Sequence, residues 1–374
     1  MPVTEIHAKS IIRKRKKIDS WFISHYSMNL YRGCLHNCSY CDGRSERYYV
    51  DGEFGHDISV KVNAIDILDR ELNPKRKRVP LKQSFVLLGG GVGDSYQPID
   101  EKYQLSRKSL KIIQKYNFPV HIITKSTLIE RDIDLIKQIN KERGAIVSIS
   151  FSSIDNYFSK IFEPAVPSPD DRLKMLSNLK NQGIITGMFL MPVIPFITDT
   201  PELIDKAVQK AHELNFDYII FSPMTLKKGK QFDHFINVLK KYFSDHLIEY
   251  NNIYSDNKWG NVNPEYYRSV SKLFNEIANH YKIPVRIPAK FFKNILSEND
   301  YIITILEQLN YLENLSEKRS YFGRAANSIA QMNRPLSSVP ISKIKGIGPL
   351  IERTIKEILE NKTSFYYERL LKYR

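Results

Sequence analysis

At 374 residues the chain has room for one large domain and one small one, each with its own core. Its 56 Lys and Arg against 41 Asp and Glu give a formal charge of +15, which favours a polyanionic partner, because clustered cations gain affinity by releasing phosphate counterions. No apolar stretch of signal-peptide or membrane-spanning length follows the basic start, so a cytoplasmic, reducing setting without a membrane partner is expected.

Residues 1–20 read as an extended basic arm carrying Arg13-Lys14-Arg15-Lys16-Lys17, either solvated or in contact with phosphate. Residues 21–30 read as a first buried strand. It feeds Arg32-Gly33-Cys34-Leu35-His36-Asn37-Cys38-Ser39-Tyr40-Cys41, which holds all three cysteines of the chain at the spacing CxxxCxxC. Thiolates select iron-sulfur clusters, zinc or cuprous ions. A protein-held 4Fe-4S cluster ordinarily takes four of them, so three would leave one iron open to a small chelating molecule. His36 offers the alternative, a Cys3His zinc site, although zinc sites are usually built from two separated ligand pairs rather than one compact loop.

Residues 57–72 read as a strand end and a helix, closed by Asn73-Pro74 and followed by a second basic run, Lys75-Arg76-Lys77-Arg78. From Ser84 onward short apolar runs alternate with helix-periodic segments. Strands are expected near 85–88, 120–123, 145–151, 187–193 and 218–221, with helices after each, the grammar of parallel βα units. With the strand before the cysteine loop about six units are countable, too few for a closed eight-fold barrel. Chemistry in such folds sits at the C-terminal strand ends. The first of these, Gly89-Gly90-Gly91-Val92-Gly93-Asp94-Ser95-Tyr96, lets backbone approach a ligand closely. It fits neither GxxxxGK nor GxGxxG.

The form C-x3-C-x-aromatic-C, with Tyr40 as the aromatic, resembles the signature of the radical S-adenosylmethionine (radical SAM) enzymes. The resemblance implies an α/β fold built on an open (βα)6 partial barrel, and a 4Fe-4S cluster on Cys34, Cys38 and Cys41. It also implies S-adenosylmethionine chelating the open iron, Tyr40 near the adenine, and an electron donor such as flavodoxin or ferredoxin. The segment Gly89, Gly90, Gly91 with Asp94 resembles the second motif of that family, which binds the amino group of S-adenosylmethionine. Asp94-Ser95-Tyr96-Gln97-Pro98, Thr124-Lys125-Ser126, Arg131-Asp132, Phe162-Glu163-Pro164, Arg172 and Pro192-Val193-Ile194-Pro195 resemble the spore photoproduct lyase-like branch, over residues 20–225. By that likeness Lys125, Ser148 and Ser150 are expected to meet the carboxylate or ribose of S-adenosylmethionine, while Glu163 and Arg172 read equally as a structural ion pair. One departure stands out. The well-understood lyases return a hydrogen atom from an additional cysteine, which this chain lacks; Tyr96 is the first substitute, then Tyr48 or Tyr49.

Residues 263–282 read as helical and 283–288 as a last short strand. Residues 300–315 show a helical period in Ile302, Ile305, Leu306, Leu309 and Leu312. In Ile344-Lys345-Gly346-Ile347-Gly348-Pro349, Gly346 and Gly348 permit a tight hairpin and Pro349 suits the first turn of a helix. This is similar to a helix-hairpin-helix, which grips the DNA backbone through hairpin amides; Lys343, Lys345, Arg353 and Lys356 add charge. Residues 298–374 resemble the small N-terminal domain of family X DNA polymerases, but Thr354 occupies the place of the Schiff-base lysine that some of them carry, so DNA binding is implied and sugar-phosphate lyase activity is not. The expected organisation is an arm (1–20), a partial barrel with a helical extension (21–290) and a helix-hairpin-helix domain (298–374). The expected function is a radical SAM enzyme repairing or modifying DNA. The alternatives are an RNA-modifying enzyme of that family, or a DNA-binding protein with a structural or redox-sensing metal.

Overall fold

The structure, a computed structural model, describes residues 3–48, 52–89, 92–254, 258–315 and 319–372. In chain order its strands are β1 (Val3–Ile6), β2 (Ile12–Asp19), β3 (Ser24–Met28), β4 (Tyr31–Arg32), β5 (Ile58–Lys61), β6 (Phe85–Leu88), β7 (Val120–Thr124), β8 (Ala145–Phe151), β9 (Ile185–Val193) and β10 (Tyr218–Pro223). Seven form one sheet in the order β10-β9-β8-β7-β6-β3-β2. The six from β3 to β10 run parallel, and β2 pairs antiparallel with β3 at the edge. This is the expected six-unit open barrel. β8 is buried at every position, as a strand covered on both faces must be. The remaining strands form a small sheet, β1-β5-β4, whose last member runs directly into the cysteine loop.

The helices following the barrel strands begin sharply. Ser168 accepts a hydrogen bond from the amide of Asp171, Thr200 from Leu203 and Asn263 from Tyr266, each just before a proline at the first helical position. Such caps satisfy amides that would otherwise be orphaned, and they fix the loops that return the chain from the strand ends.

Two expectations about the chain ends are corrected. Residues 1–20 are not a free arm, because β1 and β2 are both paired into sheets. Residues 283–288 form no strand, although the carbonyl of Pro284 accepts from the amide of Ile219 in β10.

The core of the C-terminal part is continuous with the lower barrel. Its helices, Glu298–Leu315, Phe322–Ala330, Pro349–Asn361 and Phe365–Lys372, share one apolar cluster with Ile18, Ile23, Phe85, Ile146, Phe189 and Tyr218. Phe85 and Tyr218 are the first residues of β6 and β10, so these helices close the barrel at the end where its strands begin. Tyr301 through Leu306 are buried without a break, because Glu298–Leu315 is packed on all sides rather than along one stripe. Lys17 to Glu307 at 2.6 Å and His25 to Asp300 at 2.9 Å tie the seam.

Candidate active site

The cysteine loop is held by its own backbone. The amide of Leu35 donates to Gln97 (2.8 Å) and that of Ser39 to the carbonyl of Phe162 (2.9 Å). Arg44 donates to the carbonyl of Cys38 (3.2 Å) and to Asn37 Oδ1 (2.5 Å). Gln231 donates to the carbonyl of Tyr40 (2.9 Å), and Lys227 pairs with Asp42 at 2.5 Å. No sequence signal marked Asp42, Lys227 or Gln231, whose partners lie about half the chain away.

Asp94 organises the strand ends. Its carboxylate accepts from Thr124 Oγ1 (2.8 Å and 2.9 Å), the amide of Lys125 (2.7 Å) and the amide of Tyr96 (2.8 Å), and lies 3.1 Å from His36 Nε2. Burial works against its charge, yet His36 and these amides hold it below the ordinary carboxylate range. It therefore joins the cysteine loop, the glycine segment and the end of β7.

The three thiols line one cavity of about 310 Å³ together with Tyr40, Gly89, Asp94, Lys125 and Ser150. Cys34 and Cys38 are buried and Cys41 half-buried. Burial pushes all three thiols up, Cys34 to about 12, so each needs a metal's charge beside it to become a thiolate. Among the described residues no three His, Cys, Asp or Glu side chains converge tightly enough for a single ion. The Cys3His reading fails on a positive observation: His36 turns Nε2 to Asp94 and Nδ1 to the carbonyl of Ala165 (3.3 Å). Three thiols, with no fourth protein ligand among the described residues, are the donor set of a cluster with one open iron, and the residues present fit that group.

Gly89 adopts φ +90, and a Cβ there would lie 2.1 Å from the carbonyl oxygen of Ile123, so only glycine lets the strand end turn here. Gly90, Gly91 and Tyr49 lie outside the described residues. Lys125 Nζ is 2.5 Å from Ser150 Oγ and 3.7 Å from Glu163 Oε1. Glu163 forms a fully buried pair with Arg172 at 2.7 Å and accepts from the hydroxyl of Tyr40. Burial opposes its charge, but Arg172 and Lys125 hold it at about 2. The structural reading of Glu163 and Arg172 is the one observed.

Two expected site residues lie elsewhere. Ser148 sits one layer below the cavity, bonded to His121 Nε2 (2.7 Å) and to the hydroxyl of Tyr218 (2.6 Å). Tyr96 is fully buried in the core, under the guanidinium of Arg131, with its hydroxyl toward Asp132 but short of hydrogen-bond geometry. The turn capped by Asp94 directs it away from the cavity, whose lining does not include it. Tyr48 is 38% exposed and does not line the cavity.

A family model for the radical SAM superfamily matches residues 28–207. An uncharacterized protein of Methanocaldococcus jannaschii is 31% identical over 212 residues, 56% of this chain and 74% of that one. The chain belongs to the radical SAM superfamily. Radical SAM enzymes use a 4Fe-4S cluster and S-adenosylmethionine, the cofactors that Cys34, Cys38, Cys41 and the adjoining cavity suit. A spore photoproduct lyase of Clostridium acetobutylicum is 24% identical over 214 residues, covering 55% of this chain and 59% of that one. A solved, doubly substituted spore photoproduct lyase with bound AdoMet and dinucleoside spore photoproduct shares the fold, with TM-score 0.53 and 17% identity over 75% of this chain and 79% of that one. Among the described residues no helix is long and apolar enough to cross a membrane.

The C-terminal glycine segment lies at the far end of the barrel from this radical SAM cavity. Gly346 adopts φ +89, and Gly348 precedes the helix Pro349–Asn361 in extended backbone, with open space around it. Ser328 braces the turn by donating to the carbonyl of Lys345 (2.8 Å). Lys343, Lys345 and Arg353 are exposed, Arg353 bonding Glu357 at 3.0 Å. Thr354 is buried and donates to the carbonyl of Leu350 (2.9 Å).

Proposed function

We propose that this radical SAM enzyme acts on nucleic acid, DNA before RNA, in repair or modification. The observation that carries the reading is the shared cavity of Cys34, Cys38, Cys41, Lys125 and Ser150 at the strand ends, with His36 turned away from it. The +15 charge and the exposed glycine turn at Lys345 to Pro349, read as a helix-hairpin-helix, support a polyanionic substrate. The exposed Arg13 to Lys16 of β2 continue the basic surface from the cavity end of the sheet toward the C-terminal helices.

Cys34, Cys38 and Cys41 would hold the cluster, which would supply the electron for reductive cleavage of S-adenosylmethionine, the radical-generating chemistry of the superfamily. The chain's own residues do the positioning. Lys125, held by Ser150 and Glu163, presents an ammonium to a carboxylate, and Tyr40 is locked by Glu163 as one wall. Phe22, Phe189, Ile123 and Met191 keep the floor apolar and exclude water. We assign the electron supply to a flavodoxin or ferredoxin, and the location to the cytoplasm.

The test is anaerobic reconstitution followed by measurement of 5′-deoxyadenosine with damaged duplex DNA, with RNA and with neither. Release stimulated by DNA is expected. Stimulation by RNA alone would move the substrate to RNA, and stoichiometric zinc with no iron retained would overturn the enzyme reading.

A further inference from the structure

Trp259 is 59% exposed. Two cations lie over its ring, the Arg47 guanidinium and the Lys258 ammonium each 5.4 Å from the centroid. None of the three lines the cavity itself, but the chain and a few bonds tie them to residues that do. Arg47 lies in the turn Glu46–Tyr48, which follows the turn Asp42–Arg44 of the cysteine loop. The carbonyl of Gly260 accepts from the amide of Leu226 (2.7 Å), Lys230 donates its amide to Glu46 (2.9 Å), and Lys227 pairs with Asp42. These bonds lock the cysteine loop, the segment after β10 and Trp259 into one lip, whose Asp42 and Thr225 line the cavity beside the thiols.

A largely exposed indole carrying two cations is what an unpaired nucleotide strand needs. A base stacks on the ring while the cations meet the neighbouring phosphates. A protein's apolar anchor would be better served by apolar neighbours than by Arg47 and Lys258. Attachment to the lip that carries Asp42 and Thr225 adds a reason: a base inside a duplex cannot reach a recessed reacting group, so the strand must be opened and held close by. We infer that Trp259, with Arg47 and Lys258, is a stacking platform for an unpaired base of a nucleic-acid strand on that lip, an inference that rests on the nucleic-acid reading above.

The sequence holds two tryptophans, and Trp21 packs away from the lip, under Arg286. Trp21→Phe therefore leaves Trp259 as the sole indole reporter. The reconstituted full-length protein is titrated anaerobically with a short single-stranded deoxyoligonucleotide of mixed sequence, its duplex, and an abasic strand of the same length. Saturable quenching by the single strand is expected, with little from the abasic one. In parallel, anisotropy of the labelled strand should show Trp259→Leu weakening binding roughly tenfold and Trp259→Phe restoring most of it. If Trp21→Phe fails to fold, the anisotropy series in the parent chain decides alone. A strand that binds Trp259→Leu as tightly as the parent would overturn the platform and leave the nucleic-acid reading standing. If neither strand nor duplex binds even at low salt, the nucleic-acid reading falls and the platform with it.

Discussion

The two ends of the barrel are made by the same six strands and finished in opposite ways. Where the strands end, Asp94, Glu163 and Arg172 are buried and Lys125 half-buried, all tied by polar bonds, and they surround a cavity that the thiols face. Where the strands begin, Phe85, Ile146 and Tyr218 are covered by the C-terminal helices in one apolar cluster. A buried charge keeps its place only when every partner is present, so the upper end is rigid at the cost of depending on a few residues. The lower end depends on area, and its stability is spread over many side chains.

The largest effect should come from ending the chain after residue 297. Uncovering Phe85, Ile146, Phe189 and their neighbours costs roughly 1.5–3 kcal/mol for each large side chain, more than a domain's whole margin of stability. The truncated barrel should be insoluble or molten by near-UV circular dichroism; a soluble form that still cleaves S-adenosylmethionine would make the two ends independent. Cys38→Ala should abolish the iron-sulfur absorbance and all 5′-deoxyadenosine release while leaving the thermal transition nearly unchanged.

Glu163→Ala leaves Arg172 buried without its partner, and a loss of about 3–5 kcal/mol is expected in denaturant titration. Combining it with Arg172→Met should recover part of that loss. A double variant no more stable than the single would show that Glu163 acts through Tyr40 and Lys125 instead.

His121 lies between the two ends, below the cavity. Burial lowers it from about 6.5 to about 4, so the folded chain keeps it neutral while the unfolded chain protonates it first. The stability it contributes is complete above pH 6.5 and is lost as pH falls toward 4, roughly 3 kcal/mol in all. Glu163 acts in a lower window, from about 4.5 down to about 2. Unfolding midpoints from pH 7 to 4 should fall in the parent and flatten in His121→Asn. The smallest effect on stability is expected from Gly348→Val, since a Cβ there meets nothing within 4 Å and its backbone is extended. It should cost under about 1 kcal/mol as a cap while weakening duplex binding several-fold, alike for different sequences.

Legibility differed between the ends for a physical reason. The cysteine loop is local, so the spacing of Cys34, Cys38 and Cys41 carried it, and the six βα units showed in their alternation. Lys125 and Ser150 fell at the cavity as strand ends do in this architecture. Ser148 shares their face but not their depth, and pattern along one strand does not say how far below the rim a residue lies. Tyr96 was misplaced because its position depends on the direction of a turn. The C-terminal helices were recognisable as helices, yet burial of Thr304 and Gln308 as well as the leucines reflects packing against the barrel, which periodicity does not reveal. Trp259 and Arg47 meet only after the chain has folded.

β2 is the outermost strand of the seven-stranded sheet, hydrogen-bonded to a neighbour on one side. Such an edge is a template on which a second copy could build sheet, and chains guard it with charge. Arg13, Lys14, Arg15 and Lys16 are four exposed cations in succession along that edge. Their mutual repulsion across any pair of molecules would keep the sheet from extending, whether or not nucleic acid is present. Making them neutral would therefore be felt first as self-association in concentrated solution.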